Sequence, residues 1–370
     1  MSQLFTPFRL RSLELANRVV VSPMCQYSAV DGLPNEWHEV HLGGLATGGA
    51  GVVFIEATAV SDIGRITPGC LGLWSPGHEL ALTALVDLVK HIAPVPMAIQ
   101  LGHAGRKASC AEPWHGGRQL PAGGGDWQTI APSAIPHYPG ERAPRPMTEE
   151  DLEQVKREFV EAALRAQRSG CVAIELHAAH GYLLHQFLSP LANQRSDRYG
   201  GSLDHRMRYP LEVFAAVRAA LPDGYPLGVR VSATDWMEYS GQPSWTLDQT
   251  LEFARALEAA GCDWLDVTTG GLAAGQKLVA APLYHLPFAV AVKRATRMPV
   301  MTVGMVREPA EAEGIVARGD ADLVALARGF MMNPRWTWRA AQELGARLPT
   351  PPQNWRAETL HGQPIFLTGK

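Results

Sequence analysis

The sequence predicts an α/β protein built as a closed (β/α)8 barrel, and three observations predict it. Eight short runs rich in β-branched residues recur along the 370 residues, each followed by a stretch of helical periodicity. The runs are nearly continuous in apolar residues, the mark of parallel strands covered on both faces. Strand and helix alternate from one end of the chain to the other, and eight such units suggest closure. The length exceeds the usual prior of about 100–200 residues for one domain, but a large barrel with an insertion absorbs it.

In chain order the strand runs are NRVVVSPM from Asn17, GVVFIEATAV from Gly51, PVPMAIQLGHAG from Pro94 and CVAIELHAAH from Cys171. YPLGVRVSAT from Tyr225, CDWLDVTTGG from Cys262, MPVMTVGM from Met298 and ADLVALARG from Ala321 complete the set. The helix after the third strand opens on a capping pair, Thr148 and Asp151, carries Leu152, Val155, Phe159 and Ala163 at helical spacing, and stops at Gly170. TLDQTLEFARALEAAG repeats that logic with Thr246 as cap and Gly261 as terminator, and REPAEAEGIVARG ends at Gly319. Between Cys110 and Met147 the chain is dense in Gly and Pro and too long for an ordinary strand–helix connection. It reads as a lid over the barrel mouth, about residues 108–147, inside a barrel domain of residues 1–345 that is followed by a tail of residues 346–370.

Composition narrows the partners. Apolar residues make up 46%, charged residues 19%, and the formal net charge is −3, so a sizeable core is available and nucleic acid is not an expected partner. The five cysteines, Cys25, Cys70, Cys110, Cys171 and Cys262, are scattered without a CxxC pair, which suggests neither a disulfide framework nor a metal cradle. The first residues lack an apolar signal core, and no run reaches the roughly eighteen apolar residues of a membrane span. The expectation is a cytoplasmic protein with reduced thiols.

Missing motifs prune the chemistry. GxGxxG after a strand, GxxxxGK[ST], GxSxG and HExxH are all absent, which argues against a Rossmann dehydrogenase, a P-loop NTPase, a serine hydrolase and a zincin. In a barrel the reactive groups collect at the C-terminal strand ends. Gly304 after strand seven and Arg328 at strand eight stand where barrels bind a phosphate, although a turn glycine and a surface ion pair would read the same way. His177 and His180 admit three readings: structural histidines, metal ligands in an HxxH spacing like that of His38 and His41, or two donors converging on one carbonyl oxygen. In the third reading Tyr182 moves a proton at the adjacent carbon. The metal reading lacks an evident carboxylate or thiolate companion, since Glu175 would point into the barrel below His177.

HAAHGYLLHQFLSPLANQRSDRYGGSLDHRMR, from His177 to Arg208, resembles the strand-four signature of the flavin-dependent ene-reductases of the old yellow enzyme family. SPMCQY, EATAV, RITPG and HAGRKA extend the similarity from Met1 to about Gln342, and PMCQY places it with the thermophilic-like subclass, close to bacterial xenobiotic reductases. The resemblance implies a noncovalent FMN on the barrel mouth, reduced by NADPH or NADH in ping-pong turnover. Ser22, Pro23, Met24 and Cys25 would line it, Ala57 and Gln100 would meet its ring edge, and Arg230 would neutralise its reduced form. Gly304, Ala327 and Arg328 would hold its phosphate; Ala327 replaces a frequent glycine, so its methyl is expected to shift that loop.

His177 and His180 match the family's pair for the substrate oxygen, Tyr182 its proton donor, and Tyr27 a substrate contact. Cys25 would also modulate the flavin, and the expected substrates are small activated alkenes. In the tail, Trp355 and Arg356 stand where the subclass sends a residue into an active site, often a neighbour's, which implies a homodimer or higher homo-oligomer. Three other readings stay in view. A dienoyl-CoA reductase type would want an iron–sulfur cysteine cluster, an isomerase or aldolase barrel a lysine or glutamate at a strand end, and a flavin-storage protein no catalysis at all.

Overall fold

The computed structural model describes residues 2–360 and 364–367 and shows the expected closed barrel of eight parallel strands. We number the barrel strands β1 (Val19–Val21), β2 (Val52–Ala59), β3 (Met97–Gly102), β4 (Ala173–Ala178), β5 (Leu227–Ser232), β6 (Leu265–Thr268), β7 (Val300–Thr302) and β8 (Leu323–Leu326). Each pairs with its neighbour in sequence and β8 closes on β1, as in the register Ala325 to Val20. The eight apolar runs therefore all become strands, because a strand covered on both faces has no polar side to declare.

The outer layer is formed by α1 (Glu36–Ala46), α2 (Pro76–Ile92), α3 (Glu149–Arg168), α4 (Leu183–Leu188), α5 (Leu203–Ala220), α6 (Leu247–Ala259), α7 (Leu286–Ala295), α8 (Pro309–Ala317), α9 (Arg328–Met332) and α10 (Trp336–Glu343). In α3 the predicted stripe of Leu152, Val155, Phe159 and Ala163 is buried, each large side chain contributing about 1.5–3 kcal/mol by leaving water. Thr148 Oγ1 accepts the Asp151 N–H at 3.2 Å and Asp151 accepts the Thr148 N–H at 2.7 Å, closing the capping box. Thr246 also occupies an N-cap, but its hydroxyl makes no cap bond. The residue that would complete its box, Gln249, instead accepts Arg206 Nη2 at 3.2 Å.

A hairpin of Phe8–Leu10 and Leu13–Leu15, absent from the sequence reading, closes the floor of the barrel. Leu10 and Leu15 join Val20, Phe54, Trp264 and Leu323 in an apolar cluster separate from the larger core under the helices. Residues 108–147 carry a short parallel pair, Ile130–Ala131 with Arg145–Pro146, a single antiparallel bridge between Cys110 and Gln119, and one 3-10 turn at Pro113–His115. Among the described residues no helix is long and apolar enough to cross a membrane, and no three His, Cys, Asp or Glu are grouped to hold a metal ion.

Candidate active site

Strand β4 delivers His177 to the barrel mouth, and the chain then turns sharply, with His180 at φ +55° and Gly181 at φ +74°. That turn folds His180 and Tyr182 back over His177. The two imidazole centroids are 5.2 Å apart and the Tyr182 ring stands 4.8 Å from His177, both edge to face. The Ala179 N–H donates to His177 Nδ1 at 3.2 Å, so His177 carries its hydrogen on Nε2, 3.4 Å from His180 Nδ1. His180 Nε2 lies 3.1 Å from Thr268 Oγ1. Burial, reinforced by the Arg230 charge, holds both imidazoles well below their usual pKa, so both are neutral hydrogen-bond groups. Burial also pushes the Tyr182 phenol well up, and it stays protonated.

Lys107, which the sequence reading did not single out, straps this turn. Its Nζ donates to His180 O at 2.7 Å and Gly271 O at 2.9 Å, and lies 5.0 Å from the Tyr182 ring centre. Burial, then the neighbouring Arg106, brings it down to about 8. It lies within the HAGRKA motif, but its two bonds are to backbone oxygens 73 and 164 residues away in sequence, so the motif does not by itself declare this role.

Ser22, Pro23, Met24 and Cys25 leave the end of β1, and Tyr27 follows at φ +51°. A buried carboxylate holds this segment: Glu56, at the bulge in β2 between Ile55 and Ala57, accepts the Gln26 N–H at 3.1 Å. His38 Nε2 stands 3.4 Å from the other Glu56 oxygen, and its Nδ1 accepts the Asn35 N–H. The metal reading of His38 therefore lapses in favour of a structural role. Burial, then the Glu56 charge, pushes the Cys25 thiol well up, which leaves a neutral thiol at the mouth.

Below these loops, Gln100 Nε2 donates to Glu175 Oε1 at 2.8 Å, and Trp264 Nε1 donates to the other oxygen at 3.1 Å. Glu175 thus lies in the barrel interior as expected, where burial, then Asp266, pushes it up to about 8. Arg230, paired in register with His177 on the adjacent strand, has its Nε 3.0 Å from Asp266 Oδ2.

From Arg230 a cavity of ≈ 190 Å³ runs to the ends of β7 and β8, past Tyr284, His285, Gly304, Ala327 and Arg328. The residues present fit an FMN. Gly304 is at φ +111°, and a Cβ there would stand 2.6 Å from His285 Nδ1, so the site needs a glycine. The hydroxyls of Ser22 and Thr302 are buried without a hydrogen-bond partner among the described residues. Arg230 and Arg328 supply cations along the same cavity. Ala327 is at φ −108°, a conformation open to any L residue. Tyr284 and His285, which were not foreseen, line the cavity from the start of α7; burial, then Arg230, brings His285 down to about 3.

A second cavity, also ≈ 190 Å³, lies between Tyr27, Lys107 and the 108–147 excursion, which contributes Cys110, His137, Tyr138 and Glu141. Trp355 lines neither cavity. Its Nε1 donates to Thr350 O at 3.2 Å and its ring packs with Leu348 and Phe366, so within one protomer it is not brought to His177.

The sequence profile of the NADH:flavin oxidoreductase / NADH oxidase family matches residues 3–346. The chain is 42% identical to an NADH:flavin oxidoreductase of Gibberella zeae over 361 residues, 94% of this chain and 87% of the relative. It is 39% identical to an NADPH dehydrogenase of Geobacillus sp. over 361 residues, 96% and 99% of the two chains. Among solved structures, morphinone reductase superposes with a TM-score of 0.77 at 26% identity, covering 100% of this chain and 94% of that one. A 2-naphthoyl-CoA reductase superposes at 0.82 and 25% identity over 92% of this chain, which spans only 52% of that protein. With a mouth that fits FMN and this company of relatives, the chain belongs to the NADH:flavin oxidoreductase / NADH oxidase family, as an FMN-dependent, NAD(P)H-consuming oxidoreductase of the old yellow enzyme type.

Proposed function

We propose that this enzyme reduces the C=C bond of small alkenes conjugated to a carbonyl or nitro group, and that it also accepts nitro compounds and quinones. The observation that carries this reading is the convergence of two neutral imidazoles and a protonated phenol at one mouth. His177, through Nε2–H, and His180 bind the carbonyl or nitro oxygen, and their donated hydrogen bonds stabilise the negative charge that develops there. Neutral rings suit this task, because the site then binds an uncharged substrate without burying a free cation. Tyr182 donates its proton to the α-carbon, and solvent restores that proton between turnovers. Tyr27 contacts the substrate beneath the lid, and Cys25 lies against the cofactor as a thiol.

FMN, when bound, supplies the hydride relay between NAD(P)H and the β-carbon. Ser22, Pro23, Met24, Cys25, Ala57, Gln100, Arg230, Gly304, Ala327 and Arg328 would hold it, and Arg230 and Arg328 would offer positive charge to its reduced ring and its phosphate. Arg230 is paired with Asp266, and burial raises the carboxyl of the neighbouring Glu175. An oligomer in which a second copy brings Trp355 to the mouth, and a cytoplasmic setting, complete the reading. The test is anaerobic. Yellow protein should bleach with NADPH and recolour with 2-cyclohexenone, whereas an isolated alkene should leave it bleached. Failure of cyclohexenone to restore the colour would refute the reading.

A further inference from the structure

Behind the His177–Tyr182 turn lies another imidazole–carboxylate pair. His185 and Asp235 are fully buried, His185 Nε2 stands 3.1 Å from Asp235 Oδ1, and neither atom has a hydrogen-bond partner elsewhere among the described residues. Asp235 Oδ2 accepts Ser189 Oγ–H at 2.6 Å and the Trp245 N–H at 2.8 Å. On the far side of the ring, His185 Nδ1 accepts the Gly181 N–H at 3.0 Å. The positions of the protons follow from these contacts. A backbone N–H can only donate, so Nδ1 is bare, the ring hydrogen is on Nε2, and it faces Asp235.

Gly181 lies between His180 and Tyr182, in two successive left-handed residues. A Cβ at Gly181 would stand 2.4 Å from Gly271 O, so the turn has no room to move that way. Each neighbouring backbone group has its own partner. The His180 N–H donates to Ser232 Oγ, His180 O accepts Lys107, Gly181 O accepts Gln186 Nε2 at 2.7 Å, and the Tyr182 N–H donates to Ala179 O. Two amides of this turn depend on a tautomer, the Ala179 N–H on that of His177 and the Gly181 N–H on that of His185, and Asp235 selects the second.

We propose that Asp235 is a positioning residue for the ene reduction: by fixing the His185 tautomer it holds the Gly181 amide, and with it the aim of His180 and Tyr182. The role rests on the ene-reductase reading above. Asp235→Asn is the informative substitution because an amide cannot satisfy all three donors around it. Turned one way, its NH2 meets His185 Nε2–H and drives the ring hydrogen to Nδ1, against the Gly181 N–H. Turned the other way, it meets the Trp245 N–H. Ser189→Ala removes a bond to the same carboxylate and leaves the tautomer alone.

On FMN-loaded protein, stopped-flow reoxidation by 2-cyclohexenone should slow about 100-fold in Asp235→Asn, the scale of a misplacement of about 1 Å, while FMN reduction by NADPH stays within about threefold. Ser189→Ala should match wild type. An unchanged reoxidation rate in Asp235→Asn overturns the role, and so does a loss in both variants that merely tracks thermal stability. If Asp235→Asn fails to retain FMN, His185 decides: Gln keeps an acceptor for Gly181 and a donor for Asp235, and Leu keeps neither. Recovery in His185→Gln over His185→Leu supports the role, and equal rates overturn it. Wild-type protein that cyclohexenone cannot reoxidise refutes the ene-reductase reading instead. The turn is then read through phenol affinity of the oxidised holoprotein, which should weaken about tenfold in Asp235→Asn, and an unchanged affinity overturns the role.

Discussion

His180 adopts a left-handed backbone that costs a non-glycine residue about 1–2 kcal/mol, and the bonds from Ser232 and Lys107 on either side of it offset that cost. Strain held by a network at a strand end marks a site that needs one geometry. His177 is the simpler member, since its ring hydrogen is fixed by the adjacent Ala179 amide. His177→Ala should retain FMN, weaken phenol binding and slow reoxidation by an activated alkene by about 10²–10³, the usual cost of one lost donor to a developing oxyanion. Half-reaction kinetics check this, and unchanged rates would remove His177 from the clamp. His177, His180 and Tyr182 were legible because they fall within six positions of one chain segment. Lys107 and Glu56 were not, because their partners are brought in by other strands and loops of the barrel.

At the level of elements, the start of α3 does two tasks. Its capping box satisfies backbone donors, and Asp151 also accepts Arg145 Nη1 and Nη2 at 2.6 and 2.7 Å, tying the end of the 108–147 excursion to the helix. Thr148→Ala should cost about 1 kcal/mol, seen as a lower guanidinium midpoint with unchanged turnover per FMN. An unaltered midpoint would show that Asp151 and Arg145 hold the end without the hydroxyl. The Thr148 cap was readable because its partner is three residues away. Thr246 also takes the predicted N-cap position, but its hydroxyl makes no cap bond, and the Gln249 side chain is held by Arg206, a partner that no window along the chain contains.

For the molecule as a whole, buried imidazoles set the acid limit. His103, on burial alone, and His41 are brought down to about 4, and His137 and His285 to about 3, each by burial first. Their unfolded forms protonate near pH 6.5, so as pH falls from 6.5 the unfolded chain binds protons that the native state refuses. Each group contributes stability that is complete above pH 6.5 and is lost at about 1.4 kcal/mol per pH unit as pH falls toward its folded value. Glu175, raised to about 8, and Glu56, Glu158 and Asp266, raised as well, work in the opposite sense, losing stability as pH rises from the ordinary carboxylate range, but the lowered imidazoles, which also include His78, His177 and His180, outnumber them. Guanidinium midpoints should therefore fall between pH 6.5 and 4.5, and a flat profile would contradict buried neutral imidazoles.

The sequence by itself determined the barrel, its eight strands, the excursion before α3 and the segment that brings His177, His180 and Tyr182 together, because apolar runs, capping residues and strand-end motifs are local in the chain. Only the tertiary structure decided how those rings are held. Asp235 reaches Gly181 through His185 from another strand's loop, Glu56 reaches Gln26 across β1 and β2, and Lys107 closes the turn from β3. Burial shifts the proton affinity of Glu56 and Lys107, as it does that of His177, His180 and Tyr182, and burial is a property of the closed barrel that no segment carries alone.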